Sequence, residues 1–170
     1  MVCRMQKGFT IIELITVVVL LGILSMVAFS RFVRPSAFVP SIVAHGIVAE
    51  TRLAQQRANS RRDAVVTLTI DRVGTDWRFL HSTDVDGVVR TELVGASNTT
   101  LQAQSGAANN TVDAANALVL QFDNNGDVVS VTVGADVGDP ALGVSVSLTG
   151  DSDRDVCIYP TGYAVEESCA

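Results

Sequence analysis

The chain opens with a long apolar run. From Leu14 to Phe29 there is no charged residue, and only three residues are neither aliphatic nor aromatic. At 1.5 Å per residue, a helix over Phe9 to Phe29 spans roughly 30 Å, about the thickness of a bilayer core. The pattern predicts one membrane-spanning helix at the start of the chain.

A second helix is predicted over residues 41–62. Pro35 and Pro40 precede it and disturb the first helix, since proline removes a backbone donor and clashes with the preceding turn. Ser41 is the expected N-cap. The predicted apolar stripe consists of Ile42, Val43, Ile47, Leu53, Ala54 and Ala58. The positions expected to be mostly solvated are Glu50, Arg52, Gln55, Gln56, Arg57, Arg61 and Arg62.

From Ala64 onward the hydrophobic period changes to two, which is typical of strands. Asn125-Gly126 separates two such runs and predicts a hairpin turn. Residues 95–116 are rich in Ala, Asn, Ser, Thr and Gln, and they predict an exposed variable loop. The predicted fold class is α+β, with a long N-terminal hydrophobic helix extending into a second helix packed on an antiparallel β-sheet. The alternating positions that predict strands are Val66, Leu68, Ile70, Trp77, Phe79, Leu118, Leu120, Phe122, Val129, Val131, Val133, Val144, Val146, Leu148, Val156 and Ile158.

Glu13 lies inside the apolar run. A carboxylate in a membrane-spanning helix costs about 2.5–3.5 kcal/mol when it is central and less near one end. Neither a secretory signal peptide nor a plain membrane anchor gains anything from that cost, and Met26–Ala28 is a poor cleavage site for a signal peptidase. Proteolysis after Gly8 supplies a countercharge, because it exposes a positive amine on Phe9.

Residues 7–14, Lys-Gly-Phe-Thr-Ile-Ile-Glu-Leu, resemble the leader and helix start of type IV pilins and type II secretion pseudopilins. The resemblance implies that a prepilin peptidase cleaves after Gly8 and that the new N-terminal Phe9 is methylated. It also implies that Glu13 of one subunit guides docking onto a neighbour. No catalytic residue is implied.

The later part of the chain resembles the GspH/FimT group of minor pilins and pseudopilins. The residues that carry this resemblance are Ala54-Gln55-Gln56-Arg57-Ala58, Val66-Thr67-Leu68, Asp76-Trp77-Arg78 and Cys157-Ile158-Tyr159-Pro160-Thr161-Gly162. The short leader is similar to that of minor pilins of the mannose-sensitive haemagglutinin (MSHA) type, such as the MshC-like proteins. The expected organisation is a leader over 1–8, an assembly helix over 9–34, a linker and helix over 35–63, and an antiparallel β domain over 64–170.

Charge argues against nucleic acid as the main partner. The chain has 12 basic and 18 acidic residues and a formal charge of −6, whereas nucleic-acid binders usually carry a basic field. Arg57, Arg61 and Arg62 form a small basic cluster, which we interpret as a solvated helix end with DNA contact as the alternative.

Two cysteines lie near the C-terminus. Cys157 and Cys169 are 12 positions apart, without CxxC spacing or a nearby histidine, and this pattern indicates a disulfide that closes a small loop. It places the C-terminal part in an oxidising compartment. The alternative is two buried thiols in a cytosolic domain. Cys3 falls in the predicted leader.

The sequence shows no set of residues with the pattern of a known catalytic site. His45 on the second helix and His81 at a strand end are interpreted as surface or packing residues. Asp151 begins an alternating acidic run, but Val156 and Gly162 stand where an EF-hand has glycine and glutamate, so we interpret it as a polar turn, with an irregular calcium site as the alternative. We expect no cofactor and no metal.

The sequence thus predicts a minor pilin or pseudopilin, and not an enzyme, that primes, caps or decorates a type IV pilus or a type II secretion pseudopilus. The implied partners are other pilin or pseudopilin subunits, the prepilin peptidase and the inner-membrane assembly platform. The expected location is the bacterial inner membrane, crossed once with a periplasmic C-terminal domain, and then a surface pilus or a periplasmic pseudopilus. The alternative is a pilus-associated binding module for DNA, a surface or a secreted substrate.

Overall fold

Two helices precede eleven strands among the residues described by the computed structural model. It describes residues 10–32, 38–61, 63–96 and 98–169, with the backbone alone for 26–32. Helix α1 spans Ile11–Phe32 and helix α2 spans Val39–Ser60. The chain divides into two units, Met1–Pro35 and Ser36–Ala170. The predicted leader, Phe9 and Pro35 lie outside the described residues.

Helix α2 begins earlier than predicted. Phe38 occupies the N-cap position without a side-chain capping bond, so the assignment of Ser41 as N-cap is wrong. Pro40 lies in the first turn, where a missing N–H breaks no helical hydrogen bond. The helix ends at Ser60, and the amide of Arg61 donates to carbonyls of the last turn.

One face of α2 is fully buried. Its residues recur at the three- and four-residue spacing of an amphipathic helix. Ile42, however, is 54% exposed, so its predicted place in the apolar stripe is wrong. Leu53 is half-buried. The fully buried apolar residues of this face are Val43, Ala44, Ile47, Ala54 and Ala58.

The first sheet has six antiparallel strands in the order β3-β2-β1-β6-β7-β8. Apolar residues of its inner face pair across strands; Ile70, for example, is opposite both Phe79 and Leu118. The strands are β1 Val66–Val73, β2 Asp76–Thr83, β3 Gly87–Gly95, β6 Leu118–Phe122, β7 Val128–Val133 and β8 Asp136–Val137.

The second sheet has five antiparallel strands in the order β11-β10-β9-β4-β5. A short 3-10 turn, Pro140–Leu142, precedes β9. Helix α2 contacts strands of both sheets, and the buried residues of all three form one hydrophobic core. The strands are β4 Thr100–Ser105, β5 Ala108–Val112, β9 Val144–Thr149, β10 Arg154–Ile158 and β11 Ala164–Val165.

The exposed loop predicted for residues 95–116 is wrong. Strands β4 and β5 form a hairpin there, and its inward side chains are buried. The turn between them uses Gly106 at φ +59°, a conformation that glycine adopts without a steric penalty. The inward residues are mostly small and the outward residues are polar. The sequence therefore lacks the alternation of large apolar and polar residues that predicts strands. The buried residues of the hairpin are Leu101, Ala103, Ser105, Ala108 and Val112.

The predicted α+β class is confirmed, since helices and antiparallel strands make up the described residues. The strands form two sheets where the sequence predicted one. The Asn125-Gly126 hairpin joins β6 to β7 as predicted: Gly126 has φ +81°, and its amide donates to the carbonyl of Asp123 at 2.9 Å.

Candidate functional site

Glu13 lies in the first turn of α1. The turn is started by Thr10, whose hydroxyl and carbonyl oxygens both accept from the Glu13 amide, at 3.4 and 3.1 Å. Ser or Thr three residues before Glu is the pattern of a capping box. Over the described part of the chain, the Glu13 carboxylate has no recorded ion-pair or hydrogen-bond partner.

The side chains around Glu13 are apolar and exposed. Ile11 is 80% exposed and Leu14 is 64% exposed, and the remaining large apolar residues up to Leu24 are each at least 45% exposed. Across the described residues, none of the helices combines the length and the apolar character needed to span a bilayer. Gly8 and Phe9, the predicted cleavage and methylation sites, are outside the described residues.

A disulfide joins Cys157 to Cys169, with an S–S distance of 2.05 Å and a Cα–Cα distance of 5.0 Å. Cys157 belongs to β10 and is buried. The enclosed segment turns tightly: the Gly162 amide donates to the Tyr159 carbonyl at 2.9 Å, and the Tyr159 amide donates to the Tyr163 carbonyl at 2.8 Å.

Helix α2 holds this loop in place through two polar side chains. Arg52 donates from Nε and Nη2 to the Ala164 carbonyl, at 3.2 and 2.9 Å. Its guanidinium lies 5.1 Å from the centroid of the Tyr163 ring, a cation–π distance. Gln55 Nε2 donates to the Thr161 carbonyl at 2.7 Å. The loop is therefore fixed both by the disulfide and by α2.

The outer surface of the loop is aromatic and acidic. The rings of Tyr159 and Tyr163 stack with centroids 6.3 Å apart. Tyr159 Oη donates to Glu167 at 2.8 Å, and this hydrogen bond to a carboxylate raises the pKa of the Tyr159 hydroxyl. His45 Nδ1 lies 2.9 Å from Glu166 and 2.6 Å from the Ser41 carbonyl.

Glu50 and His81 form a buried polar pair. His81 Nε2 is 2.7 Å from Glu50 Oε2, and Arg90 Nη2 is 3.2 Å from Glu50 Oε1. His81 is fully buried inside β2, not at its end, and Glu50 is buried, so the expectation of a solvated Glu50 is wrong. Burial lowers the pKa of His81, and Glu50 opposes that shift.

The sequence contained a signal for this pair. Glu50 falls between Ile47 and Ala54 at helical spacing, and His81 continues the alternation of Trp77 and Phe79. The charge of Glu50 led to its wrong assignment as solvated, because charged residues are rarely buried unless they are paired. The interpretation of His81 as a packing residue agrees with its burial.

The acidic turns are held by local hydrogen bonds. Asp123 Oδ1 accepts from the amides of Asn125 and Asp127, at 2.9 and 3.0 Å. Asp155 Oδ1 accepts from Ser147 Oγ at 2.8 Å. Within the described ranges, no group of three or more His, Cys, Asp or Glu side chains is arranged to hold a metal ion.

The basic cluster is partly neutralised. Arg61 forms an ion pair with Asp86 in the turn after β2. Arg57 is half-buried, and its Nη1 has no hydrogen-bond partner among the described residues. Arg62 lies outside them.

Comparison with known proteins gives two matches. Residues 3–29 match the prokaryotic N-terminal methylation motif, a range that includes Gly8, Phe9 and Glu13. The crystal structure of the type IV minor pilin FimU from Pseudomonas aeruginosa (strain PAO1) is similar, with a TM-score of 0.48 and 19% sequence identity over 76% of this chain and 99% of that chain. Among curated proteins, none matches.

Proposed function

We propose that this type IV pilin-like chain, which carries a prokaryotic N-terminal methylation motif, is a minor pilin or pseudopilin subunit of a filament. A prepilin peptidase cleaves it after Gly8, Phe9 is methylated, and α1 enters a bundle of neighbouring helices. The observation that carries the proposal is Glu13: an acid in an exposed apolar helix, without a partner in the described residues, inside that motif.

The assembly step follows from electrostatics. A carboxylate surrounded by apolar side chains gains strongly from an opposite charge, because the local dielectric constant is low. Cleavage before Phe9 creates an amine four residues from Glu13 along the chain. When helices pack side by side with a stagger, Glu13 of one subunit neutralises the Phe9 amine of its neighbour. Packing then buries the exposed apolar residues of α1.

The proposed location is the bacterial inner membrane, with the C-terminal domain in the periplasm before assembly. The disulfide between Cys157 and Cys169 supports this, since disulfides persist in oxidising compartments. The proposed partners are other pilin subunits, the peptidase and the assembly platform. Priming, capping or decoration of the filament are the roles proposed, in an MSHA-type or another pilus or in a secretion pseudopilus.

A second proposed role is recognition by the C-terminal loop. Tyr159 and Tyr163 are 36% and 49% exposed on a surface fixed by α2 and the disulfide. Rigid exposed aromatic residues are common anchors of binding surfaces. Acidic Glu166 and Glu167 beside them favour a surface or a secreted protein over DNA as the ligand.

Intact-mass measurement of the chain, purified from cells that contain a prepilin peptidase, tests the first proposal. The expected mass starts at Phe9 and includes one added methyl group. A Gly8→Val variant is the control, and it should retain residues 1–8. Retention of the leader in the unaltered chain, or cleavage near Ala28, contradicts the proposal.

A further inference from the structure

Strand β3 is an exposed edge of the first sheet. It is the longest described strand, with nine residues, and β2 is its one neighbour in that sheet. The opposite edge, β8, has only two residues. Every residue of β3 is exposed except Val94, which is half-buried. Unpaired edges of this length are templates for pairing with another chain.

The sequence of β3 is complementary to itself when it is reversed. Thr91 is its central residue, and the two residues on each side of Thr91 are complementary in charge or alike in hydrophobicity. In an antiparallel pair of two copies centred on Thr91, like hydrophobic residues are opposite each other and opposite charges are opposite each other. The resulting opposite pairs are Arg90 with Glu92 and Val89 with Leu93. Val89 is the extra residue of a bulge opposite β2, so the matched register ends there.

The backbone of β3 has the orientation that this register needs. The amide of Ala96 donates to the carbonyl of Thr75, the residue opposite it, at 3.4 Å. Directly opposite residues alternate between hydrogen-bonded and non-hydrogen-bonded pairs in antiparallel sheets. Even-numbered residues from 90 to 96 therefore bond to β2 or its turn, and Thr91 and Leu93 present their amides and carbonyls outward. Two copies centred on Thr91 exchange reciprocal hydrogen bonds there.

We propose that two copies of this chain associate through β3, antiparallel about a two-fold axis at Thr91, and that their six-stranded sheets become one continuous sheet. Such an interface is isologous, so each contact occurs twice. Arg90 and Glu92 are 40% and 47% exposed, and in the pair each faces the opposite charge of the other copy. Opposite charges directly across two strands stabilise their pairing.

Charge complementarity indicates that the strand pairing with β3 belongs to a second copy of this chain. An unrelated strand must carry an acid and a base in the right order at the right spacing, whereas a copy of this chain provides them by symmetry. Within one chain, Arg90 Nη2 lies 3.2 Å from both Glu50 Oε1 and Glu92 Oε2, so these contacts use only this nitrogen of the guanidinium. The guanidinium has further N–H groups with which to reach Glu92 of the other copy.

Cysteine cross-linking of the full chain in detergent tests the register. In a Cys3→Ser background, Thr91→Cys places two thiols opposite each other at the two-fold axis. Opposite residues have Cα atoms about 5.5 Å apart, within the range for a disulfide. Val137→Cys, on the opposite edge strand and 79% exposed, is the matched control. We expect Thr91→Cys to give a covalent dimer under mild oxidation and Val137→Cys to give little.

Charge exchange tests the pairing itself. Added to Thr91→Cys, either Glu92→Arg or Arg90→Glu sets like charges opposite each other in both symmetric contacts, and we expect the cross-linked yield to fall about fivefold or more. A mixture of the two variants restores opposite charges between unlike copies. The heterodimer should therefore recover the yield of the parent, and mass spectrometry identifies it.

Folding controls distinguish a loss of pairing between copies from a loss of folding. Each variant is checked by the fluorescence of the buried Trp77 and by its thermal unfolding. If Arg90→Glu fails to fold, Glu92→Arg still tests the proposal, because Glu92 is exposed and its one recorded side-chain contact is Arg90. Equal cross-linking of Thr91→Cys and Val137→Cys, or a yield that Glu92→Arg leaves unchanged, overturns the proposal.

Discussion

Two glutamates of this chain differ in burial and in their contacts. Glu50 is buried in the core between α2 and the first sheet, and it contacts both His81 and Arg90. Glu13 is exposed on an apolar helix and has no recorded partner among the described residues. A buried acid without a countercharge is strongly unfavourable. Glu50 therefore serves the folded domain, and Glu13 is proposed to serve the assembled filament.

Replacing Glu13 tests this difference. We expect Glu13→Gln to be processed normally but to enter filaments at least about tenfold less than the parent, which corresponds to roughly 1.4 kcal/mol of association free energy. The measurement is the ratio of the subunit in sheared filaments to that in membranes. Glu13→Asp, which retains the charge, is the control and should recover part of the incorporation. Normal incorporation of the glutamine variant argues against a docking charge.

His81 predicts a pH dependence of stability. Burial lowers its pKa below the ordinary value of 6.5, although Glu50 opposes the shift and Arg57 and Arg90 add to it. As the pH falls through 6.5, the unfolded chain therefore binds a proton before the folded chain does, and stability decreases. The loss continues until the pH passes below the lowered pKa.

Urea unfolding of the full chain at about pH 8 and about pH 5, followed by Trp77 fluorescence, measures this loss. We expect His81→Gln to lose less stability than the parent between the two pH values, because glutamine does not titrate. His45→Gln, the same replacement at an exposed position, controls for the effect of the substitution itself. An equal loss in the parent and in His81→Gln is the contrary outcome.

At the scale of the elements, sequence prediction succeeded where burial and residue type agreed. The buried faces of strands β1, β2 and β6 follow the predicted alternation. In β7 the alternation holds for Val131 and Val133, but Val129 is 48% exposed and Val128 is buried, so the predicted place of Val129 is wrong. Strands β3 to β5 were missed for two different reasons. β3 is exposed on both faces, and the inward residues of β4 and β5 are mostly small. In neither case do large buried apolar residues alternate with exposed polar residues, so the period-two pattern that predicts a strand is missing.

The same limit applies to the candidate site. The residues around Glu13 were predictable, because a lone acid in an apolar run is conspicuous in any sequence. The bonds from Arg52 and Gln55 to the C-terminal loop were not predictable. They join residues 112 and 106 positions apart and end on backbone carbonyls, which carry no sequence information. Side-chain identity alone did not indicate which exposed polar residues of α2 have partners.

The turn between β10 and β11 depends on Gly162. Its φ is +74°, and a Cβ atom built there lies 2.2 Å from the carbonyl oxygen of Gly126. Gly74 has a similar φ of +64°, but no atom lies within 4 Å of its Cβ position. A substitution of Gly74 therefore introduces backbone strain alone, whereas a substitution of Gly162 introduces both backbone strain and steric overlap.

We expect Gly74→Ala to lower the free energy of unfolding by about 1–2 kcal/mol, the cost of a left-handed alanine. Gly162→Ala should cost about 1–3 kcal/mol more, because the turn must move away from Gly126. Urea titration of both variants measures the difference. Equal losses mean that the turn shifts without cost.

The whole molecule divides into two physically different parts. In α1, the large apolar side chains up to Leu24 are exposed. In the unit Ser36–Ala170, one core of buried apolar residues extends from Val43 to Ala164. The average hydropathy of the chain conceals this division. This division agrees with the proposed filament subunit, in which α1 packs against neighbouring subunits and the second unit folds as a domain.

We accordingly expect a fragment of residues 36–170 to fold on its own. It retains both sheets, α2, every residue of the hydrophobic core and the disulfide. Urea should unfold it in a single cooperative transition, the behaviour of small domains. Leu68→Ala in the same fragment is the control, and it should cost about 2–5 kcal/mol by removing a fully buried side chain. A broad, non-cooperative transition, or insensitivity to Leu68→Ala, contradicts a self-sufficient core and requires the first unit to contribute to the fold.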